Sequence, residues 1–164
     1  MMPMTISIRK AQQYDAKEIS AVIINAIKET NAKDYPVSFI EKLPEQFSPE
    51  QIANRISSRE TYVALHGEAI IGAASLDGVT IRSVFVMPTH QNSGIGLALM
   101  EHIEKLAFQR KIAKLTVPSS ITAEGFYKKI GYVKLHETYE GVEKIIIMSK
   151  VIYPSNNAMH ATSA

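Results

Sequence analysis

One stretch restricts the fold more than any other: Val84-Phe85-Val86-Met87-Pro88-Thr89-His90-Gln91-Asn92-Ser93-Gly94-Ile95-Gly96. Apolar, strand-forming residues reach a proline and pass through a loop that contains glycine. A helical pattern then opens over about 94–110, with Ile95, Leu99, Ile103 and Leu106 on one face. Lys114-Leu115-Thr116-Val117 follows as a short apolar strand. Strand, helix and strand in succession predict a parallel pair joined by a right-handed crossover, with a helix laid on the sheet.

The flanking sequence supplies the other strands and helices. Thr5 to Lys10 alternates Ile6 and Ile8 against polar neighbours, a strand pattern. Asp15-Ala16-Lys17-Glu18 has the form of a capping box, and Ile19, Val22, Ile23, Ala26 and Ile27 then mark one helix face. Between Pro36 and Pro44, the residues Val37, Phe39, Ile40 and Leu43 predict a short buried helical turn. Ser48-Pro49-Glu50-Gln51 starts a further helix with Ile52 and Ile56 as its apolar stripe. From Thr61 the period switches to two: Tyr62 to Leu65 and Ala69 to Ala73 flank a turn at His66-Gly67-Glu68, and Val79 to Val86 follows Asp77-Gly78. Ala123, Phe126, Tyr127 and Ile130 mark a helix closed by Gly131. Two last strands, at 132–139 and 143–150, flank Glu140-Gly141.

The expectation is an α/β fold: a mixed, mostly antiparallel sheet of about seven strands with flanking helices. A length of 164 residues suits one core, expected over 1–153. Pro154 to Ala164, rich in Ser, Asn and Ala, reads as a mobile tail.

Composition removes several functions. Without cysteine there is no disulfide scaffold, cysteine nucleophile or cysteine-held metal. Lys and Arg number 18 against 16 Asp and Glu, a net charge of +2, which lacks the basic excess of a dedicated nucleic-acid binder. No stretch approaches the roughly 18 apolar residues of a membrane span, and Met1-Met2-Pro3-Met4-Thr5 has no basic region leading an apolar one. A cytoplasmic protein is expected. His66, His102 and His136 have no metal-ligand spacing, so no metal is expected. No serine–histidine–acid constellation is legible either.

The loop before the long helix points to an anion. A helix N-terminus offers unpaired N–H groups and a partial positive charge, and Gly94 and Gly96 take away side chains that would hold an anion off. Residue 99 is Leu, so the third glycine of a dinucleotide-binding fingerprint is missing, and no P-loop lysine follows.

The segment resembles the central signature of the GCN5-related N-acetyltransferase (GNAT) superfamily. That signature is an apolar-x-Val-x-Pro run, then Gln or Arg, two variable residues, Gly, one residue, and Gly or Ala. Here it reads Val84-Phe85-Val86-Met87-Pro88 and Gln91-Asn92-Ser93-Gly94-Ile95-Gly96. A second family element, Asn-x-x-Ala-x-x-Phe-Tyr-x-x-x-Gly-Phe, is matched by Ser120 to Tyr132, with Ala123, Phe126, Tyr127 and Gly131 in place and Ser120 where the family has Asn. The likeness spans residues 5–150 in element order and is specific over 84–132. Phe47-Ser48-Pro49-Glu50-Gln51-Ile52 and Leu115 to Ser120 resemble a bacterial branch of small acetyltransferases.

The resemblance implies that acetyl-CoA lies where the two parallel strands splay apart. Backbone groups of Val84, Phe85 and Val86 would pair with its pantetheine arm. Amides of Gln91, Asn92, Ser93, Gly94, Ile95 and Gly96 would hold its pyrophosphate, with Ala123 also beside it, and the Ser120 hydroxyl would bond the pantetheine arm or cap the next helix. Tyr127 would be the general acid that protonates the departing thiolate, a role that suits a phenol with an ordinary pKa of about 10. Core packing is the competing account of Tyr127, and close helix-to-sheet packing that of the two glycines. Tyr35, Phe39 and Phe47 fall where the family builds its acceptor pocket. Arg82 stands where some members carry a base; arginine cannot fill that role, so it binds an acidic group on the acceptor or is a solvated strand residue. His90 reads as packing. No residue is nominated as the base.

The implied function is direct transfer of an acetyl group to a primary amine in a ternary complex. The acceptor is a small molecule or a peptide amine, and a homodimer is compatible with the family. An acyl-CoA-binding module without turnover, and acetylation of a protein or of a charged tRNA, are the alternatives.

Overall fold

The computed structural model describes residues 5–154. Seven strands form one sheet: β1 (Ile6–Lys10), β2 (Glu60–His66), β3 (Ala69–Asp77), β4 (Thr80–Val86), β5 (Lys114–Ser119), β6 (Val133–Glu140) and β7 (Glu143–Val151). Their order is β1-β2-β3-β4-β5-β7-β6. All neighbours are antiparallel except β4 and β5, the parallel pair that the strand–helix–strand pattern predicts. The last hairpin folds so that β7, not β6, lies against β5, with Ser119 opposite Ile146.

Six α-helices flank the sheet: α1 (Ala16–Ala26), α2 (Val37–Glu41), α3 (Leu43–Gln46), α4 (Pro49–Ser58), α5 (Ile95–Gln109) and α6 (Glu124–Lys129). A π-helical turn, Ile27–Asn31, extends α1. On one face, Leu99, Met100 and Ile103 of α5 pack on Ile71, Ala74, Ile81 and Leu115. On the other, Ile19, Val22 and Ile23 of α1 pack on Val63, Ile70 and Ala73, with Leu43 and Ile52 alongside. Helices on both faces make β2 and β3 buried along almost their whole length, as near-continuous apolar strands require.

The parallel pair is joined only at its start. Thr80 lies opposite Thr116, and the Thr116 N–H donates to Val79 O at 3.0 Å. Beyond that point β4 carries a bulge: between the Ala73–Phe85 and Ser75–Arg82 pairs it has one residue more than β3. Ser83 takes up the excess in the left-handed region, φ +60°. A bulge bends its strand and increases the local twist, so Ser83 to Val86 turns away from β5 and an opening forms in mid-sheet.

Gly72 of β3 seats α5 beside that opening. A Cβ there would meet Ile95 Cγ2 at 3.0 Å, Leu99 Cδ1 at 3.2 Å and the Phe85 carbonyl oxygen at 3.2 Å. Gly72→Val is therefore expected to destabilise the fold by about 1–3 kcal/mol through overpacking, read as a lower urea midpoint, with Gly72→Ala between it and wild type. An unchanged midpoint for the valine variant refutes the close approach.

Three local expectations are corrected. The Asp15 carboxylate does not cap α1 in the expected box with Glu18. It closes the turn before it, accepting from Gln12 N at 2.7 Å and from both terminal nitrogens of Arg9 at 2.8 and 3.0 Å. Glu18 instead accepts from Ile70 N at 3.2 Å, because the edge of β3 is within its reach. Finally, the Pro36–Pro44 stretch holds two short helices in place of one buried turn. Leu43 is fully buried, Phe39 and Ile40 are half-buried, and Val37 is 74% exposed because it starts α2 on the solvent side. The Ser48 cap is present, with Gln51 N donating to its Oγ at 3.2 Å, and Gly131 ends the α6 segment at φ +104°. Of the expected tail, 155–164 lies outside the described residues. Among the described residues no helix is long and apolar enough to cross a membrane.

Candidate active site

Two cavities of about 320 Å³ each lie at the opening in the sheet. The first is walled by Val84, Phe85 and Val86 of β4, by the loop and first turn of α5, and by Ala123, Phe126 and Tyr127. The second lies between the aromatic residues Tyr35, Phe39 and Phe47, the arginines 55, 59 and 82, and Ser120, Glu140 and Glu143. Phe85 belongs to both walls, so the two cavities are neighbours that share it.

The loop presents free donors to the first cavity. The first N–H of α5 with a backbone acceptor is that of Ala98, which donates to Gly94 O at 3.0 Å. The preceding amides of Ile95, Gly96 and Leu97 have no acceptor among the described residues, which leaves them for an anion. Asn92 and Gly94 are both left-handed, at φ +63° and +83°. A Cβ at Gly94 would face open space, so backbone conformation asks for glycine there. Gly96 has a different reason: its Cβ would lie 3.2 Å from Phe126 Cζ, so it is small to admit α6. The Gln91 side chain fixes the loop, donating to Thr30 Oγ1 at 2.9 Å and to Val86 O at 3.3 Å.

Tyr127 is 5% exposed, against Phe126 and Tyr132 with ring centroids 5.2 and 5.9 Å away. Its hydroxyl bonds no described residue, yet no buried side-chain polar atom lacks a partner. The hydroxyl therefore reaches the cavity surface. Burial, and to a lesser degree the neighbouring Tyr35, push its pKa above the ordinary phenol value, so it holds its proton at neutral pH.

In the second cavity Tyr35 and Phe39 stack at 4.6 Å. The Arg55 guanidinium lies 4.8 Å over the Phe47 ring and donates to Gln46 O at 3.0 Å. The Ser20 hydroxyl donates to Phe47 O and pins this wall to α1. Glu143, half-buried, has its pKa pushed up to about 7, first by burial and then by the charges of Glu140 and Asp34. A carboxylate titrating there can accept a proton at physiological pH.

The profile of the Acetyltransferase (GNAT) domain family matches residues 11–148. The chain belongs to the GNAT family. The Escherichia coli K12 protein YafP, an uncharacterized N-acetyltransferase, is 26% identical over 127 residues, 77% of this chain and 81% of YafP. A GCN5-related N-acetyltransferase from Rhodopseudomonas palustris, solved by crystallography, is 27% identical with a TM-score of 0.83, over 92% of this chain and 99% of that one. The PaiA N-acetyltransferase of Thermoplasma acidophilum, crystallised with coenzyme A, shares the fold at 22% identity and a TM-score of 0.76, over 90% of this chain and 99% of that one.

This GNAT domain brings most residues nominated from its sequence to the two cavities. Val84, Phe85, Val86, Gln91, Asn92, Gly94, Ile95, Gly96, Ala123 and Tyr127 line the first, and Tyr35, Phe39, Phe47 and Arg82 the second. Two nominated cofactor contacts lie elsewhere. Ser93 is exposed with its hydroxyl on His90 O, outside the first wall. Ser120 faces the second cavity, where its Oγ accepts from Ala123 N at 3.2 Å and caps the turn into α6. His90 packs edge-on to His66 at 6.1 Å and also lines the first cavity. Arg82 is 43% exposed, its Nε 3.5 Å from Asp77 Oδ2. Sequence reasoning missed Glu143, Arg55, Arg59 and Thr30. Arg55 near the end of α4 and Arg59 at its C-terminal cap are close enough in sequence to have been a usable signal; Glu143, beside a hairpin turn, carried none.

Proposed function

We propose that this GNAT domain is an N-acetyltransferase that moves the acetyl group of acetyl-CoA directly to a primary amine held with it in a ternary complex. The observation that carries the reading is the pair of neighbouring cavities that share Phe85, with the Tyr127 phenol lining one and the Glu143 carboxyl, its pKa pushed up by burial and nearby acids, lining the other.

The first cavity fits acetyl-CoA in three respects. The free amides at the start of α5 suit a pyrophosphate. The space beside Gly94 lets it approach. The edge of β4 that faces β5 is unpaired beyond Thr80 and can bond the amides of a pantetheine arm. Bound there, acetyl-CoA supplies an acetyl thioester, whose carbonyl carbon gains a bond to the amine nitrogen and loses its bond to sulfur.

The chain's own groups handle the protons. Glu143 takes one from the ammonium and leaves a nucleophilic nitrogen. Tyr127 gives its phenolic proton to the thiolate sulfur. The nitrogen, now bonded to carbon, gives up a second proton that restores the phenol, and Glu143 returns its own to solvent. The balance is an amide, a thiol and one released proton. Binding both reactants before chemistry removes the entropic cost of a bimolecular encounter, and no covalent enzyme intermediate is needed.

The first test is a thermal melt with and without acetyl-CoA. At about 100 times the dissociation constant a ligand adds about 2.7 kcal/mol, roughly 5–10 °C for a domain of this size. That shift is expected with acetyl-CoA and absent with NADH or ATP. No shift at saturating acetyl-CoA overturns the reading. A shift without turnover of any amine leaves a binding module.

A further inference from the structure

The second cavity has two electrical poles. Arg55 and Arg59, four residues apart on α4 and its C-terminal cap, face it together with Arg82 of β4. Among the described residues neither Arg55 nor Arg59 has a carboxylate within 4.0 Å, and Arg82 touches Asp77 only through Nε at 3.5 Å. Both are half-buried. Burial and mutual repulsion lower their pKa values, Arg55 sensing Arg59 and Arg59 sensing Arg82, with Asp77 opposing at Arg59. Like charges at this spacing cost stability, and the fold leaves them without a carboxylate of their own.

The other pole is acidic. Glu143 senses Glu140 and Asp34, and Tyr35 senses all three. Among the described residues no ion pair within 4.0 Å joins these arginines to Glu140 or Glu143, although all line the same cavity. Glu143, the base in the proposed reaction, belongs to the acidic pole. The aromatic side chains of Tyr35, Phe39 and Phe47 line the same cavity.

We propose that the acceptor is a small amine carrying an anionic group, its ammonium drawn to Glu143 and its anion held by Arg55, Arg59 and Arg82. Guanidinium forks bind carboxylates and phosphates in bidentate fashion. The cavity volume is that of a site for a small molecule. The same three cations repel polyamines. The inference rests on the acetyltransferase reading and adds the class of acceptor to it.

The test is a turnover screen on the full chain, measuring thiol release from acetyl-CoA. The panel contains amino acids and other amino carboxylates, their matched primary amides, phosphate-bearing amines and polyamines. Turnover is expected in the anionic set, and whether carboxylates or phosphates lead identifies the anion. For the best substrate, Arg55→Gln and Arg59→Gln are each expected to raise KM about 10–100-fold, the loss of a charge-assisted contact, while kcat changes little and the KM of the matched amide stays put. The acetyl-CoA melt shift of each variant, equal to wild type, shows that it folds and still binds the donor. Turnover confined to amides or polyamines, no turnover of any anionic amine, or an unchanged KM in both variants overturns the proposal. Failure of the acetyltransferase reading is distinct: it removes the melt shift of the wild-type protein.

Discussion

Tyr127→Phe is expected to lower kcat about 10²–10⁴-fold, the usual contribution of a positioned general acid, while KM for acetyl-CoA stays within a few-fold of wild type. The hydroxyl has no partner among the described residues, so its removal strands no buried polar group. The ring, held between Phe126 and Tyr132, keeps its packing in the variant. Stability is therefore expected to change by less than about 0.5 kcal/mol, and the melt shift with acetyl-CoA should persist. This combination separates the two accounts of Tyr127 that its helical spacing leaves open. A residue that serves only the core would leave kcat alone in this variant. A variant within threefold of wild-type kcat sinks the acid assignment.

Glu143→Gln is expected to reduce kcat/KM at pH 7 by a similar 10²–10⁴-fold and to abolish the acid limb of the pH profile. A base must be ionised to act, so wild-type kcat/KM should rise with pH through about 7 and then level. The groups that set this value are identifiable. Asp34 and Glu140 repel the ionised form, Tyr35 lies beside it, and Lys144 is occupied by Glu137 at 3.1 Å. The same residue makes a thermodynamic prediction. Its pKa is raised in the folded state from 4.5 to about 7, so the folded protein binds more protons than the unfolded one between those values. Its contribution to stability is thus present at low pH and is lost as pH rises through that window. Glu143→Gln should therefore melt above wild type at pH 8 and close to it at pH 4. A profile that keeps its acid limb in the variant assigns the base elsewhere.

Most of the first cavity was legible in the sequence because it is built from neighbours. A strand, a glycine-bearing loop and the start of a helix occupy Val84 to Gly96 in one run, so identity and spacing imply the geometry. Where the structure departs from the simplest reading, a specific contact had intervened. Gly96 is small because Phe126 arrives from α6. Ser120 is spent on the Ala123 amide and faces the acceptor side. Asp15 is claimed by Arg9 across the end of β1. In each, the contact that decides the residue's role is one that local periodicity does not reveal.

The sequence by itself determined the family, the parallel pair with its crossover helix, the glycine-bearing loop that opens the helix and the phenol beside it. These follow from hydrophobic period and from motif spacing, which are properties of short range. The tertiary structure alone decided that Glu143, Arg55 and Arg59 join Tyr35, Phe39, Phe47 and Arg82 in the second cavity. Its charges come from α4, β4 and the β6–β7 hairpin, and they meet because β7 inserts beside β5. The bulge at Ser83 then opens the sheet between them. Sheet order and strand register are set by which apolar faces are buried together across the whole chain, so no local pattern could name Glu143, Arg55 and Arg59 as one site.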